Sequence, residues 1–209
     1  MRILVVAFVA TLTLSTAGMA TETPIQLLPV DVEVEMALSA APEPLREAAG
    51  VHILTASGYV RKRESRNGFE CLVEREGKQG TAPICFDSEG ARTTLQAVIM
   101  RTSLLQSGIE PSVVRDRIKQ AYAAGQLKAP GRPGIAYMLS THFKSYDPKK
   151  QQLECVFPPH VMFYAPYLKN ADFGIPRSDF GSTMRPWILN EGEPDAYFIV
   201  ADHSQAHTC

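Results

Sequence analysis

The sequence predicts an α+β fold, a largely antiparallel sheet with a two-helix hairpin packed on one face. Three observations carry this expectation. Strand-like segments recur before residue 90, among them an alternating apolar and polar stretch at residues 31–38, and after residue 134, where they are short apolar runs. Between them, residues 91–124 hold two stretches whose apolar residues fall three and four apart, as on amphipathic helices. Short turns, at Asn67-Gly68 and across residues 76–80, join successive strand segments as antiparallel hairpins require.

The chain begins like a secretory signal. Met1 and Arg2 give a positive start, residues 3–14 are uncharged and mostly apolar, and residues 15–20 turn small, with Gly18 and Ala20 at the −3 and −1 positions of a cleavage site. The apolar run is about 12 residues, too short for a membrane-spanning helix, which takes about 20. We therefore expect residues 1–20 to be removed as a signal peptide, near Ala20, and the protein to reside in the periplasm or outside the cell. Residues 21–30 then form an irregular leader, and residues 31–209 one α+β domain. The chain has 21 basic and 22 acidic residues. This near-neutral balance argues against nucleic acid as a partner, because such binding needs many cationic contacts to phosphate. No later segment is apolar enough to span a membrane, so the expected partner is a small molecule or another protein.

Residues 31–38 alternate, with Val32, Val34 and Met36 opposite Asp31, Glu33 and Glu35, and read as a strand. Residues 44–49 suit a short helix stopped by Gly50, and residues 51–55 a further strand. Residues 59–64 and 69–75 flank Asn67-Gly68, a pair that favours a two-residue hairpin. That register sets Arg61 opposite Glu74 and Arg63 diagonal to Glu70 and Glu74, charges suited to a solvated sheet face.

A second hairpin runs from 69–75 through a polar loop to 82–87. Cys71 and Cys85 are symmetric about its middle and would face each other, within disulfide reach at a Cα separation of about 4.5–5.5 Å. Closing a loop of about 15 residues contributes roughly 3 kcal/mol in the chain-entropy account. By elimination Cys155 would pair with Cys209. Pro83 lacks an N–H, which places its strand at a sheet edge.

Residues 91–106 form the first predicted helix, with Leu95, Val98, Ile99, Thr102 and Leu105 on one face. Gly108 ends it, Pro111 opens the second, and Ile109 with Val114 has the spacing of a hydrophobic staple. Val114, Ile118, Ala121 and Tyr122 make the inward stripe of that second helix. The last third is rich in loops: nine of the 15 prolines follow Lys128. Apolar strands at 134–140, 161–164 and 196–201 lie among them.

The densest polar and aromatic segment is 158–174. On a strand at 161–164, His160, Met162 and Tyr164 share a face, with Tyr167, Asn170 and Asp172 close behind. These five polar side chains, His160, Tyr164, Tyr167, Asn170 and Asp172, are the expected ligand-binding set. His160 and Asp172 are the weak candidates for a catalytic pair, the imidazole as base and the carboxylate holding its tautomer. A purely structural use of the same groups is the competing expectation. His203 and His207 near the C-terminus, with Cys209, are weak candidates for a metal site. No nucleophile elbow, zinc-protease helix, phosphate loop, dinucleotide fingerprint or Cys-x-x-Cys pair is present, and no cofactor is expected.

The blocks Gly134-Ile-Ala-Tyr-Met-Leu-Ser140 and Pro158-Pro-His-Val-Met-Phe-Tyr-Ala-Pro-Tyr167, continuing to Asn170-Ala-Asp-Phe-Gly174, resemble a group of uncharacterised exported bacterial proteins. The hairpin around Cys71 and the helix start at Arg92 are similar too. The resemblance implies a bacterial source and export, and no reaction or catalytic residue. The expectation is thus an exported, non-catalytic binding or interaction protein, with a secreted hydrolase using His160 and Asp172 as the alternative. Under non-reducing conditions, intact mass should show a chain starting near Thr21 and four hydrogens lighter than the all-thiol form. Recovery of Met1 would contradict export.

Overall fold

A computed structural model describes residues 25–76 and 79–202, so the expected signal peptide at residues 1–20, His203, His207 and Cys209 lie outside the described residues. The fold is α+β. Ten strands form one mostly antiparallel sheet among these residues, ordered β2-β1-β3-β4-β5-β8-β10-β9. They are β1 (Gly50–Thr55), β2 (Gly58–Arg63), β3 (Glu70–Glu76), β4 (Gly80–Phe86), β5 (Ile135–Met138), β6 (Lys144–Asp147), β7 (Gln152–Cys155), β8 (His160–Tyr164), β9 (Trp187–Leu189) and β10 (Tyr197–Ala201). The β6–β7 hairpin joins the sheet through one pair, Thr81 with Lys144.

Helices cover both faces of the β1–β3–β4 half. On one side lie α1 (Val30–Ser39) and α2 (Glu43–Arg46), packed over Val51, Ile53, Cys71, Val73 and Cys85. On the other side, α3 (Ser88–Arg92) and α4 (Thr94–Gln106) break at Thr93, and α4 lays Leu95 and Val98 on Leu72, Ala82 and Ile84. The fifth helix, α5 (Pro111–Ala123), packs on α4 through Val114, Ile118 and Ala121 against Ala97, with Ile109 beside them. That cluster contains no strand residue, so α4 alone of this pair lies on the sheet.

Residues 31–38, read as a strand, are helical. Their alternation misled because the inward residue is a charged one. Glu33 and Ala37, four apart, are the buried face, while Val32 is exposed. Beyond Val51, β1 leaves β3, and the backbone groups freed there need partners. Glu33 Oε1 accepts the Leu54 N–H at 2.9 Å, and its Oε2 receives Arg75 Nη2 at 2.8 Å. Arg75 Nη1 and the Tyr59 hydroxyl both donate to the Val73 carbonyl, at 3.1 and 2.6 Å. The Glu33 and Arg75 side chains are each 1 % exposed. Burial holds the Glu33 carboxyl above its ordinary value, against the pull of Arg75.

The hairpin expected at Asn67-Gly68 does not form. β2 turns back on β1, its antiparallel partner, and β1 runs parallel to β3 on its other side. Asn67 instead makes an Asx turn, accepting the Phe69 N–H at 3.0 Å while its amide holds the Leu45 carbonyl at 2.9 Å. Arg61 stands opposite His52, not Glu74, and bridges Glu70 at 3.3 Å and Glu64 at 3.1 Å. Glu70 is held by Arg61 and Glu74 by Arg101 rather than presented on a solvated face.

The β3–β4 hairpin does form, with Cys71 directly opposite Cys85 at a Cα separation of 4.0 Å and the two joined by a disulfide. Cys155 is also oxidised, and its expected partner Cys209 lies outside the described residues. β4 is not an edge strand. Its other side meets β5 at Cys85 and Phe86 and β6 at Thr81, and Pro83 falls between those contacts, where no ladder pair is needed. The ion pair under α1 generates a stability prediction. Glu33→Ala, which strands Arg75, should cost about 3–5 kcal/mol by urea denaturation. Glu33→Leu with Arg75→Met should recover most of this, keeping about 1–3 kcal/mol for the orphaned Leu54 N–H.

Candidate functional site

On the α4 face, the strands beyond β4 continue past the helix. This leaves a cavity of about 410 Å³. Its floor is Ile84, Met138, Met162 and Ile199 from four neighbouring strands, and its roof is Thr94, Ala97 and Val98 of α4. Ala82 and Ala97 reach in with only a methyl each, which is one reason the space is not filled. One wall is aromatic. Phe143, His160, Phe157 and Trp187 follow one another at ring-centroid distances of 6.1, 5.0 and 6.4 Å, the last two contacts edge to face. The opposite end is charged: Glu74 of β3, Arg101 of α4 and Asp195 before β10.

His160 is 2 % exposed. Its Nδ1 lies 2.8 Å from the Pro158 carbonyl, which can only accept, so Nδ1 carries the proton and Nε2 is the bare acceptor. Burial lowers the imidazole pKa below its ordinary value, the bond to Pro158 opposing it. The Trp187 indole N–H is buried with no partner among the described residues, so a donor is left over on the aromatic wall. At the charged end, Arg101 Nη1 holds Glu74 at 2.7 Å and Nη2 holds Asp195 at 3.5 Å. Burial raises the Asp195 carboxyl pKa, with Arg101 pulling the other way.

Of the residues singled out from sequence, the structure brings His160 and Met162 to this cavity and takes the rest elsewhere. His160, Met162 and Tyr164 do share the inward face of β8. Tyr164, however, is locked away from the cavity. Its hydroxyl lies 3.1 Å from Asp87 Oδ1 and 3.0 Å from the Ile135 carbonyl, and Asp87 in turn caps α3. A Cβ at Gly90 or Gly134 would strike the Tyr164 side chain. Tyr167 is 61 % exposed at φ 64°. Asn170 is buried, and its amide pairs both backbone groups of Ile188, accepting at 2.7 Å and donating at 2.9 Å, which closes the free side of β9. Asp172 is spent on a turn, accepting the Lys169 N–H at 2.7 Å. The hydrogen bonds of the two candidate catalytic side chains go to backbone groups, His160 Nδ1 to the Pro158 carbonyl and Asp172 Oδ2 to the Lys169 N–H.

Arg101, Phe157, Trp187 and Asp195 were not singled out from sequence. Trp187 is the chain's single tryptophan. Arg101 stands three residues after Val98, on the inward stripe of a helix where a charge is out of pattern. Among the described residues, no group of three or more metal-binding side chains occurs, and no helix is long and apolar enough to cross a membrane. No protein family, no curated protein and no solved structure matches the chain.

The buried imidazole gives a pH prediction. An imidazole whose folded value is lowered takes its proton more readily in the unfolded chain, so its contribution is intact above about pH 6.5 and lost as pH falls below it. His52 is also lowered, by burial first, with Glu70 opposing. His160→Gln should flatten, without abolishing, the fall in urea midpoint between pH 7 and pH 5. A profile parallel to that of the unsubstituted protein would contradict this.

Proposed function

We propose that this chain is an exported, non-catalytic binding protein for a small apolar molecule, held between α4 and the β4–β5–β8–β10 sheet. The observation that carries the reading is the 410 Å³ cavity with its methionine and isoleucine floor, its aromatic wall and the unsatisfied indole N–H of Trp187. The size falls in the range of small-molecule sites, which are mostly apolar with a few polar groups that fix orientation. Each methylene moved from water into such a space contributes about 0.8 kcal/mol. A ligand carbonyl would accept from the Trp187 indole, and a ligand hydroxyl would donate to His160 Nε2. Export is supported by the signal-like N-terminus and by the Cys71–Cys85 disulfide, a bond that persists in oxidising compartments.

Trp187 supplies the assay, because the protein's indole fluorescence arises from the cavity wall alone. Titration with N-phenyl-1-naphthylamine, a neutral apolar fluorophore, should quench Trp187 saturably at one site per chain. Val98→Phe, which enlarges a roof residue, should weaken binding at least tenfold while far-UV dichroism stays unchanged. Absence of saturable quenching in the unsubstituted protein would defeat the proposal.

A further inference from the structure

The cavity does not end at Arg101. A second hollow of about 670 Å³ lies beyond it, and the two share Glu74, Arg101, Asn190 and Asp195 as a common wall. The second hollow differs in chemistry. It is lined by charged side chains from β3, α4, α5 and residues 190–195, with Ile118 and Pro194 the few apolar ones. An apolar chamber and a polar chamber thus meet at one ion triad.

Within the polar chamber most charges already have partners. Arg75 holds Glu33, Arg101 holds Glu74 and Asp195, and Lys119 holds Glu193 at 2.6 Å. Glu191 accepts the Asn170 N–H at 2.9 Å. Arg115 is different. It lines the chamber from α5, is exposed, and has no ion pair among the described residues. The Tyr122 hydroxyl, about two turns further along α5, is buried with no hydrogen-bond partner among the described residues. Tyr122 lines this chamber together with Arg101 and Asp195 of the common wall. A guanidinium and a hydroxyl donor left over in the same chamber make a site for an anion, since guanidinium matches a carboxylate with two parallel N–H bonds.

We propose that the ligand is a single-chain amphiphile with a carboxylate end, its chain in the apolar cavity and its carboxylate at Arg115 and Tyr122. This rests on the binding reading above and names the ligand class for it. The chain would cross the common wall past Arg101. Arg101 offsets one of the two negative charges of Glu74 and Asp195, which weakens the repulsion a ligand carboxylate would meet there.

The test uses decanoate and 1-decanol, equal in chain length and different only in the end group, with Trp187 fluorescence as the readout at pH 8. Decanoate should bind at least tenfold more tightly than 1-decanol. Arg115→Gln and Tyr122→Phe, the first at an exposed position and the second conservative, should each weaken decanoate threefold to tenfold and leave 1-decanol unchanged. Equal affinities for the two probes, or variants that weaken both alike, would overturn the carboxylate assignment while leaving the apolar cavity reading intact. If neither probe binds, both readings fall.

Discussion

Two consecutive residues of β3, Glu74 and Arg75, hold the two helical layers to the sheet. Neighbours on a strand project to opposite faces. Arg75 turns toward α1 and meets Glu33, while Glu74 turns toward α4 and meets Arg101. Arg75 is fully buried and Glu74 partly so, and leaving such an ion unpaired costs up to several kcal/mol. Each therefore dictates that a helix bring the opposite charge. Arg101 then reaches a third element, Asp195, and so ties α4 to the segment that leads into β10.

That tie explains why the cavity is where it is. Arg101 fixes α4 over β3 and β4, and Gln106 anchors its C-terminal end on the Thr55 carbonyl at 2.9 Å. Beyond the helix, β8, β9 and β10 extend the same sheet face, and the chain covers it with Phe143, Phe157 and Trp187 rather than with another helix. Aromatic side chains from two loops and from β9 wall in a space without filling it. The charged clamp forms one end of that space and a buried histidine sits in the other wall, so polarity is confined to defined points around an apolar interior.

The parts of this fold legible in the sequence are those decided locally. The β3–β4 hairpin and its disulfide follow from two cysteines placed symmetrically about a short loop, and the inward face of β8 follows from simple alternation. The first helix was not legible, because residues 31–38 suit either period and the deciding partner, Arg75, is 42 residues from Glu33. The β1–β2 pairing was hidden for a similar reason: a parallel neighbour, β3, displaces the hairpin that Asn67-Gly68 suggests. The site was half legible. His160 and Met162 sit on one alternating strand, but Arg101, Trp187 and Asp195 come from three other elements, and nothing in their local sequence announces that they converge. Asn170 and Asp172 drew attention as polar residues in a dense segment, yet their hydrogen bonds go to neighbouring backbone.

The central claim is that a ligand enters between α4 and the sheet. Methyl-detected NMR with N-phenyl-1-naphthylamine as the added molecule tests it by position. The account predicts saturable shifts at the methyls of Ile84, Met138, Met162 and Ile199, together with the Trp187 indole N–H. Shifts confined to Val161 and Val200, on the opposite face of β8 and β10, or no shifts at all, would contradict it.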